Sequence, residues 1–251
     1  MTVPVPANPA NPAIPMIPAN LPSPQLVDLS HPIRTGMPVY PGDPEVEITP
    51  ALRVEPDGVN VLRLHLGSQS GTHVDAPFHV RDDLPDLDAV PLTRFVGPAV
   101  LVDARGTSAR AQFGPAVLDP VRGRLAPGVV VLFVTDWSRH WGTADYLTHP
   151  WPSPALAAEL VAAGVRTVGI DALSVDLTPD DPATAALTTH LELAAAGCVI
   201  AENLTGLKPL LQAQDRGARI TVSLLPLRIA SGDGSPVRAV AWVDEQTRMS
   251  G

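Results

Sequence analysis

The chain is short of cysteine, of aromatic residues and of positive charge. Cys198 is the single cysteine among 251 residues, which excludes an internal disulfide and fits a reducing compartment. Aromatics make up 4%, so the core must come mainly from Val, Leu, Ile and Ala. Lys and Arg number 17 against 26 Asp and Glu, for a net charge of -9 with no basic run. That balance argues against nucleic acid or an anionic membrane surface as a partner. No apolar run reaches the length of a membrane-spanning helix, and the N-terminus lacks the charged-then-apolar pattern of a secretory signal. A cytoplasmic location is therefore expected. The glycine motifs that cradle phosphates are also missing, so nucleotide binding has no support. The run Gly67-Ser-Gln-Ser-Gly71 has Gln69 at its centre, where a serine-hydrolase elbow needs Ser.

What is present is enough apolar material, 45% of residues, for a sizeable core. Residues 1–24 hold Pro4, Pro6, Pro9, Pro12, Pro15, Pro18, Pro22 and Pro24. Their spacing predicts an extended, flexible arm without a core of its own. Residues 25–251 then read as one α/β domain with no internal repeat or linker. Strands are predicted over residues 25–30, 46–49, 61–66, 99–103, 129–135, 165–170, 198–201, 219–225 and 237–243. Val129–Thr135 is continuous enough in apolar residues to be buried on both faces. In Val61–Leu66, Leu62, Leu64 and Leu66 alternate with Arg63 and His65, as in a half-buried strand. Ser153-Pro154 marks a helix start that Gly164 closes. The strand that follows gives a β-helix-β order and predicts a parallel pair. Residues 187–196 and 207–214 are the other predicted helices.

The chemistry concentrates in Gly67–His79, which places His73, Asp75 and His79 within seven positions. Read singly, each is a solvated loop residue. Together they are a ligand set for Zn, Mn or Fe. In extended backbone, residues two apart share a face, so His73 and Asp75 can converge on one ion. Pro77 then redirects the chain and lets His79 approach from another side. Two further candidates lie far off in sequence. Glu202 ends a very apolar strand, where an unpaired carboxylate is costly. His190 sits in or beside a helix. Asp171, Ser174 and Asp176 form a polar cluster suited either to supporting hydrogen bonds or to plain loop capping. His31, His65, His140 and His149 lack partners at ligand spacing and read as structural or solvated, although His31, before a Pro, could line a pocket. Cys198 reads as a small core residue.

These residues resemble the cyclase-like metal-dependent hydrolase family, which includes bacterial kynurenine formamidase (arylformamidase) and isatin hydrolase. The family signature is His-x-Gly-Thr-His-x-Asp-x-Pro-x-His, matched here by Gly71, Thr72, His73, Asp75, Pro77 and His79. The likeness extends through Asp28–Pro32, Val39–Asp43, Gly169–Asp176, His190 and Glu202–Leu204. One position departs: Gln69 stands where the signature has its first histidine.

The resemblance implies a swivelling β/β/α-type fold with a mixed sheet and the metal site at strand ends. It also implies one or two divalent metals per chain, Zn or Mn, and assembly as a homodimer or homotetramer. His73, Asp75, His79, His190 and Glu202 would be metal ligands or their catalytic neighbours, with Gln69 a further candidate ligand. His79 or Glu202 would move the proton. Tyr40, Trp137 and Trp141 are candidates for an aromatic pocket wall. The implied activity is hydrolysis of a small aromatic formamide, with N-formylkynurenine giving kynurenine and formate as the first choice. A cyclic amide or lactone substrate, a cyclase or dehydratase of secondary metabolism, and a non-catalytic binding protein on the same fold are the alternatives.

Overall fold

The computed structural model describes residues 25–244; the proline-rich arm expected over 1–24 lies outside them. The chain opens with β1 (Gln25–Asp28), β2 (Glu47–Leu52), the short α1 (Val54–Asp57), β3 (Val61–His65) and β4 (His73–Asp75). It continues through β5 (Val96–Asp103), β6 (Gln112–Phe113), β7 (Val130–Val134), β8 (Trp151–Pro152), α2 (Pro154–Ala162) and β9 (Thr167–Ile170). It ends with α3 (Thr188–Ala195), β10 (Val199–Glu202), α4 (Leu207–Asp215), β11 (Arg219–Ser223), β12 (Gly234–Pro236) and β13 (Val240–Asp244).

Nine strands form one mixed sheet in the order β1-β13-β11-β5-β7-β9-β10-β4-β12. β5, β7, β9 and β10 pair in parallel, and antiparallel strands flank them on both sides. The expected mixed α/β architecture is what the chain forms. β7 is buried along its whole length, because both sheet faces are covered. On one face Leu101, Leu132 and Val134 pack with Leu207, Leu210 and Leu211 of α4. On the other, Val131, Phe133 and Ile170 pack with Leu156 and Leu160 of α2 and Leu193 of α3. The crossover β7–α2–β9 yields the predicted parallel pair. Its helix starts where Ser153 Oγ accepts the Leu156 N–H at 3.2 Å, and it is closed by Gly164 at φ +87°. Among the described residues, no helix is long and apolar enough to cross a membrane.

One expectation fails. Among the described residues β3 pairs only with β2, in a separate two-stranded sheet, and every residue of it is exposed. Its alternating leucines, Leu62 and Leu64, therefore face no core among the described residues.

Candidate active site

β4 is only three residues long, yet it lies between β10 and β12 and is fully buried. Its register with β10 sets His73 directly opposite Glu202. Opposed residues in an antiparallel pair share a face, as do residues two apart along a strand. His73, Asp75 and Glu202 consequently project to one side, each with a donor atom within 4.8 Å of the others.

The loop ahead of β4 is fixed from several directions. Gly71 is left-handed at φ +68°, and its carbonyl accepts from Asn203 Nδ2 at 3.0 Å and lies 2.8 Å from His73 Nδ1. Thr72 Oγ1 donates to Asn203 O at 2.6 Å and accepts the His31 N–H at 2.9 Å. With Nδ1–H given to the Gly71 carbonyl, His73 turns Nε2 toward Asp75 Oδ1 (3.3 Å) and Glu202 Oε2 (3.6 Å).

His190 takes the same posture from α3. Asp176 Oδ2 accepts its Nδ1–H at 2.8 Å and its backbone N–H at 2.9 Å. Nε2 then points at Glu202 Oε1 (3.4 Å) and Asp75 Oδ2 (3.8 Å). A metal-ligating histidine commonly gives its second ring nitrogen to a carboxylate or carbonyl in this way. His190 is buried, not on a helix surface. Asp176 also accepts the Thr189 N–H at 2.9 Å, so it both supports His190 and caps α3. Asp171 instead ties down the end of β7, accepting the Thr135 N–H at 2.7 Å, the Thr135 hydroxyl at 2.5 Å and the Asp136 N–H at 3.0 Å.

Asp75 carries the strongest sign of an ion. Among the described residues neither of its buried carboxylate oxygens has a hydrogen-bond partner beyond the facing His73 and His190 rings, an arrangement that is costly unless a cation compensates it. The protein's own protons answer part of that demand. Burial opposes charge on His73, but Asp75 and then Glu202 push its imidazole up to about 9. Burial likewise opposes charge on His190, while Asp176 and Glu202 push it up to about 10. Burial raises Asp75, and His73, His79 and His190 outweigh it, so its pKa is lowered. Two carboxylates and two imidazoles that a bound cation would deprotonate at Nε2 form a donor set suited to Zn or Mn.

A cleft of about 160 Å³ opens beside these donors, lined by Tyr40, Asp43, Gln69, His79, Leu187 and Asn203 among others. Tyr40 thus reaches the wall, with its hydroxyl buried and unpaired. Trp137 and Trp141 do not line it. Trp137 is in the core, its indole N–H donating to Asp145 O at 3.1 Å. Trp141 packs edge-on to Tyr146 and stacks on His31 at 4.0 Å. His31 faces a different groove, with Pro32, Ile33 and Leu227. His149 is buried and bonded to Thr178 Oγ1 at 2.9 Å, and Cys198 lies in the core.

His79 lines the cleft but lies outside the three-residue donor group. Gln69 reaches His79 and Asp233, and its Oε1 is buried and unpaired. Sequence reasoning missed Asp233 and Asp43. Asp43 sits in the Pro41-Gly42 turn, readable as a bend but not as a pocket wall. Asp233 lies in a Gly-rich run whose pairing with β4 leaves no spacing signal.

A family model described as "Putative cyclase" matches residues 27–177. The kynurenine formamidase of Salinibacter ruber is 37% identical over 225 residues, covering 86% of this chain and 96% of its own length. Isatin hydrolase A from Labrenzia aggregata, solved with benzyl benzoate bound, is similar in structure with a TM-score of 0.77 at 26% identity, covering 88% of this chain and 94% of that one. The predicted metal-dependent hydrolase from Bacillus stearothermophilus has a TM-score of 0.67 at 26% identity, covering 88% of this chain and 98% of its own.

Proposed function

This chain belongs to the cyclase family, and we propose that it is a metal-dependent hydrolase of a small aromatic formamide, with N-formylkynurenine cleaved to kynurenine and formate as the leading reaction. The observation that carries the metal is Asp75, buried with neither oxygen hydrogen-bonded among the described residues, between two imidazoles and a second carboxylate. What supports the substrate class is the 37% identity to a kynurenine formamidase over nearly its full length.

His73, Asp75 and Glu202 would hold the ion, with His190 beside them. A divalent ion there supplies Lewis acidity, polarising a carbonyl and making water a nucleophile near neutral pH. The residues of the chain do the rest. Glu202 would serve as a ligand: its Oε1 is held by the Val175 N–H at 2.7 Å, and its Oε2 faces His73 in the donor group. His79 is then the group that takes a proton from water and returns it to the leaving amine. Tyr40 offers its unpaired hydroxyl to a polar group of the substrate, and Leu173, Ala185 and Leu187 give the cleft an apolar side.

A second reading, hydrolysis of a cyclic amide, draws on the likeness to isatin hydrolase A. One assay separates the two. Loss of N-formylkynurenine absorbance is followed with Zn, Mn or Co present, and loss of isatin in parallel. The expected result is formamide turnover that a chelator abolishes and added metal restores. No turnover with any of the three metals removes the formamidase reading, and turnover of isatin alone moves the assignment to cyclic amides.

A further inference from the structure

We propose that Asp233 is the positioning residue of His79: it accepts the Nδ1–H and so directs Nε2 into the cleft, with Gln69 bracing the same carboxylate. The role given to His79 rests on the hydrolase reading, whereas the orientation of its ring does not.

Asp233 stands just before β12, and its backbone carbonyl accepts the Ala76 N–H at 2.8 Å. β12 pairs with β4, setting Gly234 opposite Asp75. A carboxylate 154 residues away in sequence is thereby fixed beside the end of β4. Its Oδ2 accepts from Ser68 Oγ at 3.0 Å and from Gln69 Nε2 at 2.9 Å, and lies 3.3 Å from His79 Nδ1. Gln69 Nε2 is 3.1 Å from the same ring nitrogen.

Among the described residues, every polar contact of the His79 ring is thus on its Nδ1 side, which leaves Nε2 for the cleft that His79 lines. Three donors facing one oxygen favour the ionised carboxylate. Asp233 is accordingly held well below the usual range, by His79 first and by Gln69 and Ser68 after burial has opposed them. The fit around Gln69 is close. A Cβ on Gly234 would stand 2.4 Å from Gln69 Nε2 and 2.8 Å from the Val74 carbonyl. Gln69 is consequently built into the clamp by its amide nitrogen. His79, held from behind by an anion, has the arrangement by which a carboxylate fixes the tautomer of a proton-transferring imidazole.

The test uses full-length ¹⁵N-labelled protein supplemented with Zn, with His79→Gln identifying the resonance. The wild type should show His79 protonated on Nδ1 and bare on Nε2, and Asp233→Ala should lose that single tautomer while keeping its metal. With a turned-over substrate, kcat should fall about 100-fold in Asp233→Ala with KM retained. Asp233→Glu, which can reach the ring again, should recover part of the loss. A bare Nδ1 in the wild type, an unchanged tautomer in Asp233→Ala, or loss of metal from that variant each overturns the proposal. Metal loss would mean instead that the pair serves the ion, where removing a supporting carboxylate weakens affinity about 10- to 100-fold. If the wild type hydrolyses neither a formamide nor a cyclic amide, the hydrolase reading falls, and the tautomer still decides how His79 is held.

Discussion

His73 and His190 arrive from a strand and a helix, yet each has Nδ1 spent on an acceptor and Nε2 aimed at the same two carboxylates. This shared posture, rather than proximity alone, marks them as ligands. Protonation and metal binding compete for those nitrogens, so metal affinity should fall as pH drops. His31 behaves differently. Burial, and then Arg34, lower its imidazole from 6.5 to about 4. Between those values the unfolded chain binds the extra proton, so stability is lost as pH falls through that window. From about pH 6.5 to about pH 4.5, Tm should drop more steeply in the wild type than in His31→Gln. Parallel curves would show that the folded ring titrates normally. At this scale the sequence revealed the dense cluster His73–Asp75–His79, because local spacing suffices for it. It could not reveal Asp233, which depends on β12 pairing with β4, nor the tautomer of any ring.

The elements most legible in the sequence are those whose signal is local. The unbroken Val130–Val134 run is a strand buried on both faces, and Ser153-Pro154 with Gly164 brackets a helix. β12 is not legible: Gly234-Ser235-Pro236 carries no apolar alternation, and pairing with β4 makes it a strand. β3 misled in the other direction, because period-two leucines specify a face without saying what covers it. At the centre of the sheet, β9 admits almost nothing at Gly169, where a Cβ would lie 2.6 Å from Leu132 Cδ2 and 2.8 Å from Leu204 Cδ1. Gly169→Ala should therefore destabilise by about 1–3 kcal/mol through overpacking, read as a lower urea midpoint. An unchanged midpoint would mean that the two leucines repack freely.

For the whole molecule, the sheet gathers into one cleft residues that span the chain from Tyr40 to Asn203, with the candidate ion at its buried end. The β2–β3 hairpin stands apart and exposes Val61, Leu62 and Leu64. Such a surface is a liability unless covered; if the chain assembles as the homodimer or homotetramer expected from the family resemblance, we propose this face as its interface. Light scattering should find the wild type oligomeric and Leu62→Glu/Leu64→Glu shifted toward monomer; an unshifted mass would place the interface elsewhere. The central claim is that His73, Asp75 and Glu202 hold a catalytic ion, and it is tested most directly by metal per chain after supplementation and dialysis. At least about one tightly bound Zn or Mn in the wild type and none in His73→Ala is the predicted result. A wild-type chain that stays metal-free, or a His73→Ala that keeps its ion, would contradict it.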